Sequence, residues 1–279
     1  MSPRSKVLKN LNGKIAMVTG ASEGIGRGIA AALAQENVKV AIVARSQDKL
    51  ETTAKELGEN VFPFSADLMN PESVREVVRK IEAELGNVDI LVNNVGGGTF
   101  KPMDMQTDWE ADLPVKIPLA AAVAACHAVI PGMVKRKSGH LVNLTSPAGY
   151  VPFPNMMPYV ASRHAMVGLS LSLHGELKEH GVGSTLFCPS QVNTGYFDNN
   201  DADMGWYPRV SKVFPVLEPE QVGEQVVKAI KGNKREVIYP FSLWAFLRFY
   251  QKLPTFSVLF LKLFGLWRPL ASREKTKNT

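Results

Sequence analysis

Short apolar runs, each ended by a turn signal and followed by a segment of helical periodicity, set the rhythm of this chain. Lys14–Thr19 (K-I-A-M-V-T) stops at a glycine, and Ile25–Glu36 then carries apolar residues at helical spacing. Val38–Ala44 is a second run, Ser46–Leu57 a mostly polar helix, and Val61–Ser65 a third run. Pro71–Leu85 is amphipathic with Pro in its first turn, and Val88–Asn93 is a fourth strand. A long apolar helix is expected within Trp109–Lys137, its start interrupted by Pro114 and Pro118. His140–Thr145, Val182–Cys188 and Glu236–Tyr239 complete the strands, with helices over Tyr159–His180 and Pro219–Lys231. Strands this uniformly apolar, alternating with helices, predict a parallel sheet covered on both faces. The expected fold is α/β: one doubly wound sheet of about seven strands over residues 1–240, with a C-terminal helical extension over residues 241–279.

Composition refines this picture mainly through charge. The chain has 279 residues, 45% hydrophobic and 21% charged, which fits a globular domain. Its net charge is +6. From Pro240 onward, Arg248, Lys252, Lys262, Arg268, Arg273, Lys275 and Lys277 face only Glu274, so this segment holds the whole excess. A main domain neutral overall argues against nucleic-acid binding, which needs a basic face there. Cys126 and Cys188 form no CxxC and have no His at ligand spacing, so buried inert thiols are expected rather than a metal site or a disulfide framework. The N-terminus M-S-P-R-S-K-V-L-K has no apolar core, so no signal peptide is read there and a cytosolic start is expected.

The first candidate chemistry is T-G-A-S-E-G-I-G, which contributes Gly20, Ser22, Gly24, Ile25 and Gly26 and opens straight into a helix. Glycines let backbone approach a pyrophosphate, and a helix N-terminus offers free N–H groups. The turn follows a strand in the first βαβ unit, which favours dinucleotide binding over a plain tight turn. The second strand ends in Ala44-Arg45, where an NAD site would carry a carboxylate. A guanidinium suits a 2′-phosphate, so NADP(H) is expected; a solvated arginine at a helix entrance is the other reading.

The order of motifs carries a resemblance. T-G-x-x-x-G-x-G is followed by N-N-V-G (Asn93–Gly96) after the fourth strand, then by a serine 13 residues before a Y-x-x-x-basic helix. Over about residues 12–240 the chain resembles the short-chain dehydrogenase/reductases. The resemblance implies that Ser146 orients and polarises the substrate oxygen and that Tyr159 is the general acid/base. It further implies that Asp67 contacts adenine, that Asn93 steadies the central strands beside the cofactor, and that Pro189, Val192 and Thr194 of P-S-Q-V-N-T meet the nicotinamide. Dimers or tetramers through the helices around residues 109–137 and 159–180 are implied as well. Three positions depart from the family pattern: Ser190 stands where glycine is usual, Arg163 replaces the lysine four after the tyrosine, and Lys116 aligns with the family's asparagine.

These departures bear on the chemistry. A tyrosine ionises near pH 10 when unperturbed, so a nearby cation is needed to favour phenolate. Arg163 supplies charge and ribose contacts, but a guanidinium does not relay a proton. Lys116, if its ammonium points inward, is a second cation beside the cofactor; if not, it is solvated at a broken helix start. A working reductase of altered efficiency, a pocket with altered or non-redox chemistry, and a cofactor-binding partner subunit or sensor all remain compatible. Retention of both Ser146 and Tyr159 favours the first.

On the substrate side, Phe153, Met156, Met157, Tyr196, Phe197, Met204, Trp206 and Tyr207 are candidates for an apolar pocket, shared with residues that only fill the core. A lipophilic ketone, aldehyde or 3-oxoacyl group, a steroid or a retinoid all fit. Residues 239–267 hold ten of the 23 aromatic residues, and Phe256, Leu259, Phe260, Leu263, Phe264 and Trp267 form one helical stripe. The longest charge-free run there, Val237–Leu247, is 11 residues, short of the roughly 20 that span a bilayer. Interleaved bases and aromatics suit a helix lying on a membrane surface; an oligomer interface or a flap over the pocket are the alternatives.

Overall fold

The computed structural model describes residues 8–200 and 204–267. Arg268, Arg273, Glu274, Lys275 and Lys277 of the basic tail lie outside the described residues.

The apolar runs become strands β1 (Ile15–Thr19), β2 (Lys39–Ala44), β3 (Val61–Ser65), β4 (Ile90–Asn93), β5 (Gly139–Leu144), β6 (Val182–Pro189) and β7 (Glu236–Tyr239). They form one parallel sheet in the order β3-β2-β1-β4-β5-β6-β7. Helices α1 (Gly24–Gln35), α2 (Gln47–Leu57) and α3 (Pro71–Glu84) follow the first three strands. Ser46 and Asn70 cap α2 and α3 by accepting from backbone N–H groups of their first turns. Strand alternation splits the core in two. Ala16, Val18, Val40 and Ile42 face one side, with α1 and helix α8 (Pro219–Lys231), while Met17, Ala41 and Val43 face the other, with α3. The strand order reverses between β1 and β4, so a crevice opens beyond their carboxyl ends.

The long helix departs from expectation. Pro114 and Pro118 do not break its start: the helix runs unbroken from Asp108 to Arg136. It comprises α4 (Asp108–Val115), one π turn (Lys116–Ala120) and α5 (Ala121–Arg136). Thr107 and Glu110 close a reciprocal capping box at its start. The wider turn accommodates the donor that Pro118 lacks. The helix is long and apolar enough to cross a membrane, but Ala125, Cys126, Val129 and Met133 are buried in the α3-side core.

Helix α6 (Met157–Leu177) starts two residues before the expected Tyr159, because Pro158 suits a first turn. A short α7 (Tyr196–Asn199) follows β6, and α9 (Phe241–Lys252) and α10 (Pro254–Leu263) follow β7. The last two join a third apolar cluster: Leu243, Leu247, Tyr250 and Leu261 pack with Phe100, Tyr150, Phe153 and Trp206. A polar tie adds to this, as Glu236 accepts from the Tyr150 hydroxyl at 2.6 Å and pairs with Arg248 of α9.

One buried group gives the fold an acid-sensitive point. His140 Nε2 lies 2.8 Å from Thr185 Oγ1, and that hydroxyl donates to the Lys234 carbonyl, so Nε2 carries the hydrogen. Burial, with His174 nearby, pulls the imidazole down to about 3. The folded state therefore stays neutral while the unfolded chain takes up a proton below about pH 6.5, and stability falls as pH drops through that range. Between pH 7.5 and 5 this one group is expected to cost about 2 kcal/mol. Urea midpoints of the parent and His140→Asn should converge or cross as pH falls, and parallel curves would contradict the assignment.

Candidate active site

Where β1 ends, Gly20 N donates to the Val43 carbonyl at 2.7 Å and α1 begins four residues later. The turn between them is held from below. Thr19 Oγ1 donates to the Val92 carbonyl and accepts from Asn94 N (3.0 Å) and Val95 N (3.2 Å). Asn94 Nδ2 donates to the carbonyls of Thr19 and Gly20. The Gly26 requirement is one of close approach, since a Cβ there would sit 2.2 Å from the Gly20 carbonyl oxygen. Gly26 thus shapes the cradle from behind, while Gly20, Ser22, Gly24 and Ile25 line a cleft of about 680 Å³.

The structure divides the role read for Asn93 between two residues: Asn93 ties the central strands together, and Asn94 lines the cleft. Successive strand residues face opposite sides, so Asn93 turns inward and Asn94 faces the cleft. Asn93 Nδ2 donates to Asn143 Oδ1 at 2.8 Å and to Cys126 Sγ at 3.3 Å, which ties β4 to β5 and α5. Both thiols are buried, and burial pushes Cys126 up to about 12 and Cys188 higher still. Among the described residues no cluster of metal ligands occurs.

Arg45, Ser46 and Lys49 line one end of the cleft beside Asp67. Asp67 Oδ1 accepts from Met69 N at 3.0 Å, which turns the chain so that Leu68 also faces the cleft. Lys49 pairs with Glu23 at 3.4 Å.

At the other end stand Ser146, Tyr159 and Arg163. Ser146 follows β5 and caps the turn Pro147–Gly149, its Oγ accepting from Ala148 N at 3.1 Å. Tyr159 and Arg163 lie one turn apart on α6, so both reach the same wall. The guanidinium carbon is 4.8 Å from the Tyr159 ring centroid. Arg163 is buried, with one long bond from Nη1 to the Leu144 carbonyl (3.4 Å), and its Nε has no hydrogen-bond partner. Burial opposes its charge, but the Tyr159 and Tyr196 hydroxyls outweigh burial and hold the guanidinium above its usual range. The Tyr196 hydroxyl is buried without a hydrogen bond of normal geometry. Burial raises this phenol, and the guanidinium acts on it through the field. Nη2 of Arg163 occupies space that only glycine leaves open at position 96, where a Cβ would stand 2.3 Å away.

Lys116 lies outside the cleft. Its side chain is 53% exposed and its ammonium pairs with Asp112 at 2.5 Å. Trp109, Leu113 and Ile117 line the cleft from this helix, and Lys116 does not.

Of the expected apolar residues, Phe153, Met156, Tyr196, Phe197 and Tyr207 line the cleft. Met157 is exposed, Trp206 fills the core, and Met204 is not on the wall. Phe100, Phe214 and Phe246 do line it, although sequence reasoning passed over them. Phe100 meets Tyr159 edge to face at 5.5 Å and contacts Tyr207 at 5.2 Å; its signal was its place just after the glycine run that follows β4. Pro189, Val192 and Thr194 line the floor, and Ser190 Oγ donates to the Pro215 carbonyl at 2.7 Å, anchoring the substrate-side loop.

Comparisons with known proteins agree with this geometry. The family profile described as short chain dehydrogenase matches residues 14–205. The chain is 32% identical over 247 residues to estradiol 17-beta-dehydrogenase 11 of Rattus norvegicus, covering 86% of this chain and 79% of that protein. A short-chain dehydrogenase/reductase of Burkholderia phymatum, solved in complex with NAD, superposes with TM-score 0.78 at 24% identity over 87% of this chain and 94% of that one. A variant of the actinorhodin polyketide ketoreductase, solved with NADPH, gives TM-score 0.72 at 27% identity over 81% of this chain and 94% of that one. With its sheet order, glycine cradle and serine–tyrosine pair, the chain belongs to the short-chain dehydrogenase family of oxidoreductases.

Proposed function

We propose that the protein is an NADP(H)-dependent oxidoreductase that interconverts a lipophilic carbonyl and its alcohol. The observation carrying this reading is that one cleft holds the glycine cradle and Arg45 at one end and Ser146, Tyr159 and Arg163 at the other, walled by aromatic side chains. The residues present fit a nicotinamide dinucleotide. The cradle is open only because glycines form it, the α1 N-terminus points at it, and Arg163 keeps a buried, unpaired Nε at the far end. Gly20, Ser22, Gly24 and Ile25 would hold the pyrophosphate, Arg45 a 2′-phosphate, Asp67 the adenine, and Pro189, Val192, Thr194 and Arg163 the nicotinamide riboside.

When bound, that group supplies or accepts the hydride. Ser146 Oγ, free to rotate its hydrogen, donates to the substrate oxygen and fixes its position. Tyr159 Oη gives that oxygen a proton during reduction and takes it back in the reverse direction. Arg163 offsets the negative charge left on the phenolic oxygen as the proton departs. A guanidinium keeps its own protons, so Tyr159 regains its proton through water or through the Tyr196 hydroxyl in the same field. The wall of Phe100, Phe153, Phe197 and Tyr207 excludes water and selects an apolar substrate, whether a long-chain 3-oxoacyl group, a steroid or a retinoid. Estradiol 17-beta-dehydrogenase 11, a relative, carries a steroid in its name and supports this class.

A second reading, a cofactor-binding subunit with little turnover, rests on Arg163 standing where the family has lysine. Fluorescence titration with NADPH, followed by NADPH consumption with a panel of lipophilic carbonyls, separates the two. Binding with turnover supports the enzyme, binding without turnover supports the subunit, and absence of binding removes both. For the 2′-phosphate contact, Arg45→Asp is expected to weaken NADPH on the order of 100-fold, since it replaces a charge-assisted bond by repulsion, and to leave NADH nearly unchanged. Equal losses for both nucleotides would place Arg45 outside the contact.

A further inference from the structure

Helices α9 and α10 present their most apolar stripe outward. On α10 the inward positions are Ser257 and Leu261, while Phe256, Leu259, Phe260, Leu263 and Phe264 are exposed, Leu263 by 80%. On α9, Leu243, Leu247 and Tyr250 are buried, and Phe241, Trp244 and Phe249 are exposed. The exposed rings touch one another: Phe241 stacks on Trp244, Phe249 meets Phe256, and Phe260 meets Phe264 at 4.6 Å. At about 200 Å² for a full side chain, the patch reaches on the order of 1,000 Å², where the largest patch on a typical monomer is about 300–600 Å². A helix facing only water would carry the opposite pattern.

We infer that this helix pair docks flat on an anionic lipid surface. Charge favours lipid as the occupant over a second copy of the same patch. No acidic residue lies between Glu236 and Glu274, whereas Lys252 and Lys262 flank the exposed rings and further bases follow in sequence. Two copies meeting through this face would bring like charges together, while an anionic leaflet complements them. Neither helix is long enough to cross a bilayer: α9 has 12 residues and α10 has 10. Interfacial seating is the geometry left to them.

The same helices form the outer wall of the cleft. Phe246 lines the cleft and contacts Phe214 at 5.3 Å. Trp267 rests on Phe153 at 5.9 Å, and Val210 N donates to the Leu266 carbonyl at 3.1 Å. Docking through the outer face therefore sets the substrate end of the cleft against the lipid, so that an apolar carbonyl enters from the membrane side. That entry route rests on the redox reading; the docking does not.

Flotation of the purified protein tests the docking without any turnover, using vesicles of phosphatidylcholine alone or mixed with phosphatidylserine. The protein is expected to float with the mixed vesicles, far less with phosphatidylcholine alone, and less again in high salt. The triple variant Leu259→Ser, Leu263→Ser, Phe264→Ser is expected to lose flotation at least about tenfold, with NADPH affinity and thermal midpoint unchanged. The inference is overturned if the parent stays in the dense fraction with both vesicle types. It is equally overturned if the triple variant floats as well as the parent, or if the parent fails to float and instead forms a dimer that the variant lacks.

Discussion

Tyr159→Phe is expected to lower turnover by about 10²–10⁴-fold while leaving cofactor affinity within about twofold. The exchange deletes one hydroxyl and preserves the ring, so the edge-to-face contact with Phe100 at 5.5 Å and the guanidinium beside the ring at 4.8 Å persist. What disappears is the only proton that the proposed mechanism delivers to the substrate oxygen. Single-turnover measurements with saturating NADPH separate this loss from any effect on product release. Parental rates in the Phe variant would move the acid to another group or to solvent. Ser146→Ala makes a useful partner: it removes the hydroxyl that positions the oxygen, and the double variant should be little worse than the worse single one, as for residues that act as a unit.

Arg163→Met should separate stability from activity. The guanidinium is buried with a long 3.4 Å bond to the Leu144 carbonyl and an unpaired Nε, and the Tyr159 and Tyr196 hydroxyls are what offset the cost of burying its charge. An unbranched apolar side chain there sheds the desolvation cost together with the contacts to those two hydroxyls, so stability is expected to change by no more than about 1 kcal/mol. The same exchange removes the charge beside Tyr159 and is expected to cost about 10²–10³ in turnover. Arg163→Lys restores a cation and should stay within about tenfold of the parent. Calorimetry alongside steady-state kinetics gives both readings. A Met variant as active as the parent would show that the charge has no part in the reaction, and a large loss of thermal midpoint would show that the guanidinium holds the fold instead.

Much of the fold was legible because the strands are buried on both faces. An all-apolar run such as Val-Ala-Ile-Val in β2 has no other soluble home, so strand positions needed no three-dimensional information. The cleft was legible for a related reason: the cradle, Ser146, Tyr159 and the loop Pro189–Thr194 all follow strand ends, and a parallel sheet gathers its carboxyl ends on one edge. Three features were not legible. Lys116 is a candidate because its alignment is visible in the sequence, while its exposure and its pairing with Asp112 on the same helix are visible only in the structure. Asn93 and Asn94 are identical in type, and only strand register decides which one faces the cleft. Phe214 and Phe246 are far apart in sequence and meet only after β7 brings α9 back over the site.

The fit between Gly96 and Arg163 couples change at the two positions. With a guanidinium nitrogen 2.3 Å from where a methyl group would stand, an alanine at position 96 forces the far end of the Arg163 side chain to shift. A shorter or thinner residue at 163 removes the need for that shift. The two sites therefore form an epistatic pair: the cost of an alanine at 96 depends on which residue stands at 163.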